Sequence, residues 1–204
     1  MASIGNWVCN WRWPVAIMAE STAWQLAAFA AGDDAEVIGA VEARFRGLHE
    51  AVFAGSLDCN HALPVRVSAL RRVEDWRVFL LLTPWMMSRL FLPLRPPRIA
   101  LPSGWSAESR RGQAYVVIGP AVRLTLGTGE QSAHLNHDRV VGHYLIQPLV
   151  QAMDAYESAD QVYSAWNEVI ATRDRVMVEQ QRDCPWQAEV SRREWFARVL
   201  GGKG

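Results

Sequence analysis

Two runs in the middle of the chain most narrow the folds open to it. Val65, Val67 and Ala69 alternate with Arg66, Ser68 and Leu70, and Trp76 to Thr83 follows as an apolar run after the short acidic turn Val73-Glu74-Asp75. Side chains along a strand alternate between two faces, so two such runs joined by a tight turn predict an antiparallel hairpin. Pro84 ends the second run, because proline cannot donate to a ladder. An antiparallel hairpin needs something to bury at least one face, and the preceding segment supplies it. Asp33 and Asp34 offer N-cap chemistry for a helix whose apolar residues Val37, Val41, Phe45, Leu48 and Val52 recur every three or four positions. Arg44, Arg46 and Glu50 fall off that stripe, and Gly55 closes the helix.

The rest of the chain continues in the same style. An irregular arm with Trp7, Trp11 and Trp13 precedes a short helix expected from Ala16 to Ala30 and ended by Gly32. Leu90 to Leu94 forms a further short strand before the Pro96-Pro97 break, and a polar loop covers Pro102 to Gly112. Tyr115 to Ile118 and Val122 to Leu126 are expected to pair as a second hairpin turned at Gly119-Pro120. A loop from Gly127 through a histidine-rich stretch then leads to a short strand, Tyr144-Leu145-Ile146. Helical character returns at Ser158, which has capping-box spacing to Gln161, with Val162, Ala165, Val169 and Val176 close to one face. A last helical stretch is expected from Pro185 to Leu200, carrying Trp186, Trp195 and Phe196. The order of helices, strands and helices predicts an α+β fold: a small antiparallel sheet flanked by helices, with helical N- and C-terminal extensions. It divides into an arm at 1–32, a central domain at 33–174 and an extension at 175–204.

Composition removes several function classes. Lys+Arg and Asp+Glu stand at 21 each, so the global positive charge on which nucleic-acid affinity rests is missing. Cys9, Cys59 and Cys184 form no C-x-x-C pair, which excludes a zinc ribbon and a thioredoxin-like motif and fits a reduced, cytoplasmic protein. Arg12 and the apolar residues after Pro14 faintly resemble a leader, but Glu20 interrupts them. The longest uninterrupted apolar run, Val78 to Leu82, is far too short to span a bilayer, so no membrane insertion is expected. G-x-S-x-G, Walker A, H-E-x-x-H and G-x-G-x-x-G patterns are all absent, and no catalytic residue is expected.

What remains is a set of candidate binding residues. Thr83-Pro84-Trp85-Met86-Met87 crowds a tryptophan and two flexible, polarizable methionines after a strand end, which suits a groove for apolar peptides and equally suits a core plug. His134, His137 and His143 with Asp138 have a spacing that could hold a metal, although a polar loop also collects histidines without any such role. Cys59 is a lone thiol, more ordinarily a small apolar residue. Glu74 and Asp75 fit a solvated turn, and the pairs Arg71-Arg72, Arg110-Arg111 and Arg192-Arg193 fit solvated surfaces.

From residue 41 to about 171 the chain resembles the HybE/HupJ family of nickel–iron hydrogenase assembly chaperones. The entry Asn60-His61-Ala62-Leu63 is similar to the family's N-P-A-L, and Thr83-Pro84-Trp85-Met86-Met87-Ser88 to its T-P-W-F/M-M-N, leading into Leu92-Pro93. Gly142-His143-Tyr144-Leu145, Gln147-Pro148-Leu149, and Met153, Tyr156 and Ala159-Asp160-Gln161 are similar to its later blocks. The resemblance implies a non-catalytic protein that binds hydrogenase small or large subunit precursors and carries no cofactor of its own. Trp76, Pro84, Trp85, Met86 and Met87 are the expected partner-binding residues. The competing expectations are an accessory subunit retained in a mature redox complex, favoured by the Trp-rich arms, and a metal or cofactor carrier.

Overall fold

The computed structural model describes residues 23–57, 59–127 and 129–182. The expected hairpin is present as β1 (Arg66–Val73) and β2 (Trp76–Thr83). It belongs to a six-stranded, wholly antiparallel sheet that also contains β3 (Met86–Pro93), β4 (Ala121–Leu126), β5 (Gly129–Asp138) and β6 (Gly142–Val150). The strand order is β1-β2-β3-β6-β5-β4: two three-stranded meanders joined through the β3–β6 pair. The fold is α+β, as the alternation of patterns predicted.

Helix α1 (Asp34–Leu48) starts where the sequence placed it, with the Asp33 carboxylate accepting the Glu36 N–H at 2.8 Å. Its stripe Val37, Val41, Phe45 and Leu48 is buried against one face of the sheet, packing on Val67, Phe79, Leu81, Leu90, Tyr144 and Ile146. Registers explain why these residues share a face: Phe79 lies opposite Leu90, Leu90 opposite Ile146, and Ile146 opposite His134. The stripe does not continue to Val52. A π turn at His49–Phe53 inserts an extra residue into the helical register, so Val52 is half exposed and Phe53 takes its place against the core. Arg77, on the same face and fully buried, donates from its guanidinium to the carbonyls of Ala30 and Gly32 and lies 3.4 Å from Asp34.

The opposite face is covered in two patches. At one end Trp24, Ile99, Leu101 and Trp105 lie over Trp76, Val78, Phe91 and Leu145. At the other, the start of α2 (Ala159–Arg182) lies over Leu82 and Met87. The two outer hairpin tips also meet, because the Glu74 carboxylate accepts the Gly127 N–H at 2.8 Å, which curls the sheet around this face. The Asp75 carboxylate is likewise engaged, 2.6 Å from Arg95.

Several expectations fail locally. Within the expected 16–30 helix, residues 23–27 are not helical and only a 3₁₀ turn, Ala28–Ala31, follows. The earlier part, with Trp7, Trp11 and Trp13, lies outside the described residues, as does the helix expected from Pro185. The third strand begins at Met86, not Leu90, because Pro84-Trp85 form a two-residue hairpin turn instead of ending the sheet. Tyr115 to Ile118 is not a strand, and β4 pairs with β5 around Gly127. The histidine-rich stretch is therefore strand β5 and not a loop. Its Ala133 and Leu135 face the core, while Asn136 donates to the Val117 carbonyl and His134 bonds to the Gly119 carbonyl. Polar side chains thus anchor the neighbouring extended segment in place of a ladder. In α2 the Ser158–Gln161 cap forms and Val162 is buried, but Val169 and Val176 are exposed, because only the first turns of the helix lie on the sheet.

Candidate functional site

Segments remote in sequence meet where β2 turns into β3. The Thr83 hydroxyl donates to the Met86 carbonyl at 2.8 Å and accepts the Met86 N–H at 3.2 Å, closing the turn around Pro84-Trp85. Asn60 ties three pieces of chain to it. Its N–H donates to the Pro84 carbonyl at 2.8 Å, and its side-chain amide donates to the carbonyls of Met153 (3.0 Å) and Tyr156 (2.6 Å). Its Oδ1 accepts the Ala62 N–H at 3.1 Å. Beneath lie Leu63, Leu82, Met87, Met153, Ala159 and Val162. The sequence blocks around 60, 83–87 and 153–161 are therefore one spatial unit.

Trp85 is 8% exposed and lies under the π turn, stacked on Phe53 with ring centroids 4.3 Å apart. Its indole N–H is buried without a hydrogen-bond partner, an omission that costs about 1–3 kcal/mol. Above it His61 donates to the Ser56 carbonyl at 3.1 Å, which leaves His61 Nδ1 to accept from His49 Nε2 at 2.9 Å. The turn that carries Phe53 also exposes Val52, which lines the neighbouring concavity at the end of α1, and Leu57 follows fully exposed. Sequence reasoning missed Asn60 as the tie and Phe53 as the cover; the π turn that swaps Phe53 for Val52 leaves no periodic signal.

Of the five expected binding residues, Pro84, Trp85, Met86 and Met87 come together at this end, all buried. Trp76 sits at the far end of β2, edge-on to Trp24 and Phe91, about 25 Å away along an eight-residue strand. The three histidines do not converge. His134 and His137 are three residues apart on one strand and so face opposite sides, while His137 pairs across to His143. His143 accepts the Gln25 N–H on Nδ1 (2.7 Å) and donates from Nε2 to the Trp105 carbonyl (2.8 Å), and His137 Nε2 lies 2.9 Å from Gln25 Oε1. Burial holds both imidazoles neutral. His137 is lowered to about 4, with the neighbouring His143 adding to the effect, and His143 is also lowered. Among the described residues no group of three or more His, Cys, Asp or Glu side chains is arranged to hold a metal ion. Cys59 is buried beside the Asn60 loop.

A second concavity of about 650 Å³ opens between the end of α1, residues 107–115 and residues 137–139. Its floor is the Arg44–Asp138 ion pair at 2.5 Å, with Asp138 also accepting the N–H groups of Val140 and Val141. Burial raises the Asp138 carboxyl, but these bonds outweigh it and hold the group below the usual carboxylate range. Tyr115 and Tyr144 meet at 3.4 Å, and burial pushes Tyr115 up to about 12. Tyr115, the Arg44–Asp138 pair and His137 line the cavity together with Arg110, Arg111 and Arg139.

The chain belongs to the HybE family of nickel–iron hydrogenase assembly chaperones: the family model matches residues 36–198 of the 204. The match begins in the first turn of α1 and runs past the end of α2 at Arg182. No curated protein and no solved structure matches the chain. Among the described residues no helix is long and apolar enough to cross a membrane.

Proposed function

We propose that the protein is a non-catalytic cytoplasmic chaperone that holds a hydrogenase subunit precursor at the Trp85 end of its sheet. The family match over residues 36–198 carries this reading. The site geometry supports the location: the blocks around 60, 83–87 and 153–161 meet there, the buried indole N–H of Trp85 is unpartnered, and the segment that carries its cover Phe53 exposes the apolar Val52 and Leu57. Met86 packs in the same core cluster as Trp85 and Phe53, which stack on each other, whereas Met87 lies on the opposite sheet face with Leu82 and Val162. Trp85→Ala is a poor probe, since emptying a buried aromatic position typically costs about 3–5 kcal/mol of fold stability.

The better test uses the exposed residues. Tagged full-length chain recovered from its native host, with hydrogenase expressed, is expected to bring down an immature subunit. The Val52→Ser, Leu57→Ser double variant is expected to keep its unfolding midpoint and bring down several-fold less. Mature active enzyme in fixed ratio would make the chain an accessory subunit. Recovery of no hydrogenase protein would overturn both readings.

A further inference from the structure

The sheet face opposite α1 carries a feature that the Trp85 end does not use. Between the Trp24–Trp105 patch and α2 runs an open groove of about 570 Å³, continued by a smaller hollow of about 230 Å³ toward the β4–β5 tip. Arg71, Val78 and Arg89 line both parts, and Trp166, Ile170 and Arg173 of α2 form one wall of the larger. None of the residues lining either part is acidic.

Arg89 is the central group. It lies in β3, in the row Ser68–Leu80–Arg89–Gln147 across four strands, half-buried and with Gln147 Oε1 at 3.2 Å as its hydrogen-bond partner. Arg71 reaches the same face through a local irregularity. Ladder register shifts between Ser68 and Arg71, where Ala69 adopts φ 51°, so Arg71 lies opposite Val78. Strict alternation from Ser68 would have sent Arg71 to the α1 face instead. A bulge with a non-glycine residue at positive φ thus brings a second guanidinium beside Arg89, with Arg173 across the groove. Arg173 is held by its neighbour Asp174 at 2.8 Å, but neither Arg71 nor Arg89 has a carboxylate within 4 Å among the described residues. Ser68 Oγ and Gln131 Oε1, on the same face, are buried without partners. Like charges brought together on an apolar floor are unfavourable unless an anion joins them.

We propose that this groove binds an extended, carboxylate-bearing segment of a partner protein, its side-chain carboxylates meeting Arg89 and Arg71 while apolar neighbours lie on Val78, Leu80 and Trp166. Guanidinium forks fit carboxylates in a bidentate manner, and two hollows that run on through Arg71, Val78 and Arg89 suit an extended strand more than a compact ligand. That the partner is the hydrogenase precursor rests on the chaperone reading; the carboxylate preference does not.

The test uses full-length protein and a fluorescein-labelled decapeptide alternating glutamate with valine, beside its glutamine counterpart. The acidic peptide should bind about tenfold or more tightly, weaken as salt rises, and lose that advantage in Arg89→Gln and in Arg71→Gln. Arg71 is exposed, so its variant keeps the test valid should Arg89→Gln fold poorly. Equal binding of the two peptides, or unchanged binding by both variants, overturns the proposal. So does arginine-dependent binding of phosphatidylglycerol vesicles with no binding of the acidic peptide. In the native-host recovery, precursor captured equally by wild type and the Arg71→Gln, Arg89→Gln double variant overturns the groove while leaving the chaperone reading intact. Loss of precursor from the wild type overturns the chaperone reading alone, the peptide result then deciding the groove.

Discussion

The two faces of the sheet are finished in different ways. The α1 face is sealed by a helix whose stripe fits a continuous apolar surface, and the buried cation Arg77 is matched by two carbonyls and Asp34. Among the described residues the opposite face is covered at its two ends, and Arg71 and Arg89 between them have no carboxylate within 4 Å. A matched buried charge is structure. Unmatched charges on an otherwise ordered face are stability set aside, and such places are where binding is found.

That contrast can be broken most strongly on the sealed side. Phe45→Ala is expected to lower unfolding free energy by about 3–5 kcal/mol in chemical denaturation, because Phe45 is buried among Val41, Trp85 and Tyr144 and leaves a cavity. A loss under about 1 kcal/mol would mean that α1 is not the main seal.

An intermediate effect comes from acid. His137 and His143 have folded-state values below 6.5, so the folded state binds fewer protons than the unfolded one between about 6.5 and about 4. Stability should therefore be full above pH 6.5 and fall as pH drops through that window, with Asp138 adding its own loss below 3.8. Thermal unfolding scans from pH 7.5 to 4.5 check this, and His137→Asn should flatten the slope. An unchanged midpoint across the window would show that these imidazoles are not held neutral.

The smallest effect has the opposite sign. Arg89 is depressed first by burial and then by the cations Arg71 and Arg173, so Arg89→Met should raise stability, by about 0.5–1 kcal/mol, even though it removes a charged side chain. A loss of more than 1 kcal/mol would show that Arg89 supports the fold and would erase the distinction between the faces.

Much of the sealed face was legible in the sequence. The acidic turn, the Asp33 cap and the Val37–Leu48 stripe are local signals that stand where they were expected, while the alternation from Val65 holds to Ser68 and breaks at Ala69. Strand β5 was not legible, because its polar residues carry no loop chemistry of their own and instead bond to the carbonyls of Val117 and Gly119, which only the tertiary fold brings near. Likewise Tyr115–Ile118 has strand composition but forms no strand, and its Val117 carbonyl accepts from the Asn136 side chain. Of the candidate site, the Asn60 entry and the Thr83–Met87 block were each marked by the family resemblance, but the hydrogen bonds by which Asn60 ties them together were not. The Phe53 cover could not, since it depends on the π turn. The arginine groove was hidden for a similar reason: Arg71 looked like half of a solvated pair, and an alanine at 69 gives no warning of positive φ.

The irregularity at Ala69 has one more consequence, for what β1 can do to its neighbours. β1 is an edge strand, and an unbroken edge offers any passing chain a ladder of free N–H and C=O groups. A strand laid along this one would fall out of step after Ser68, with paired groups no longer facing each other. If the chain holds unfinished polypeptide as proposed, this edge is spared from templating it, and capture can end in release instead of a shared aggregate.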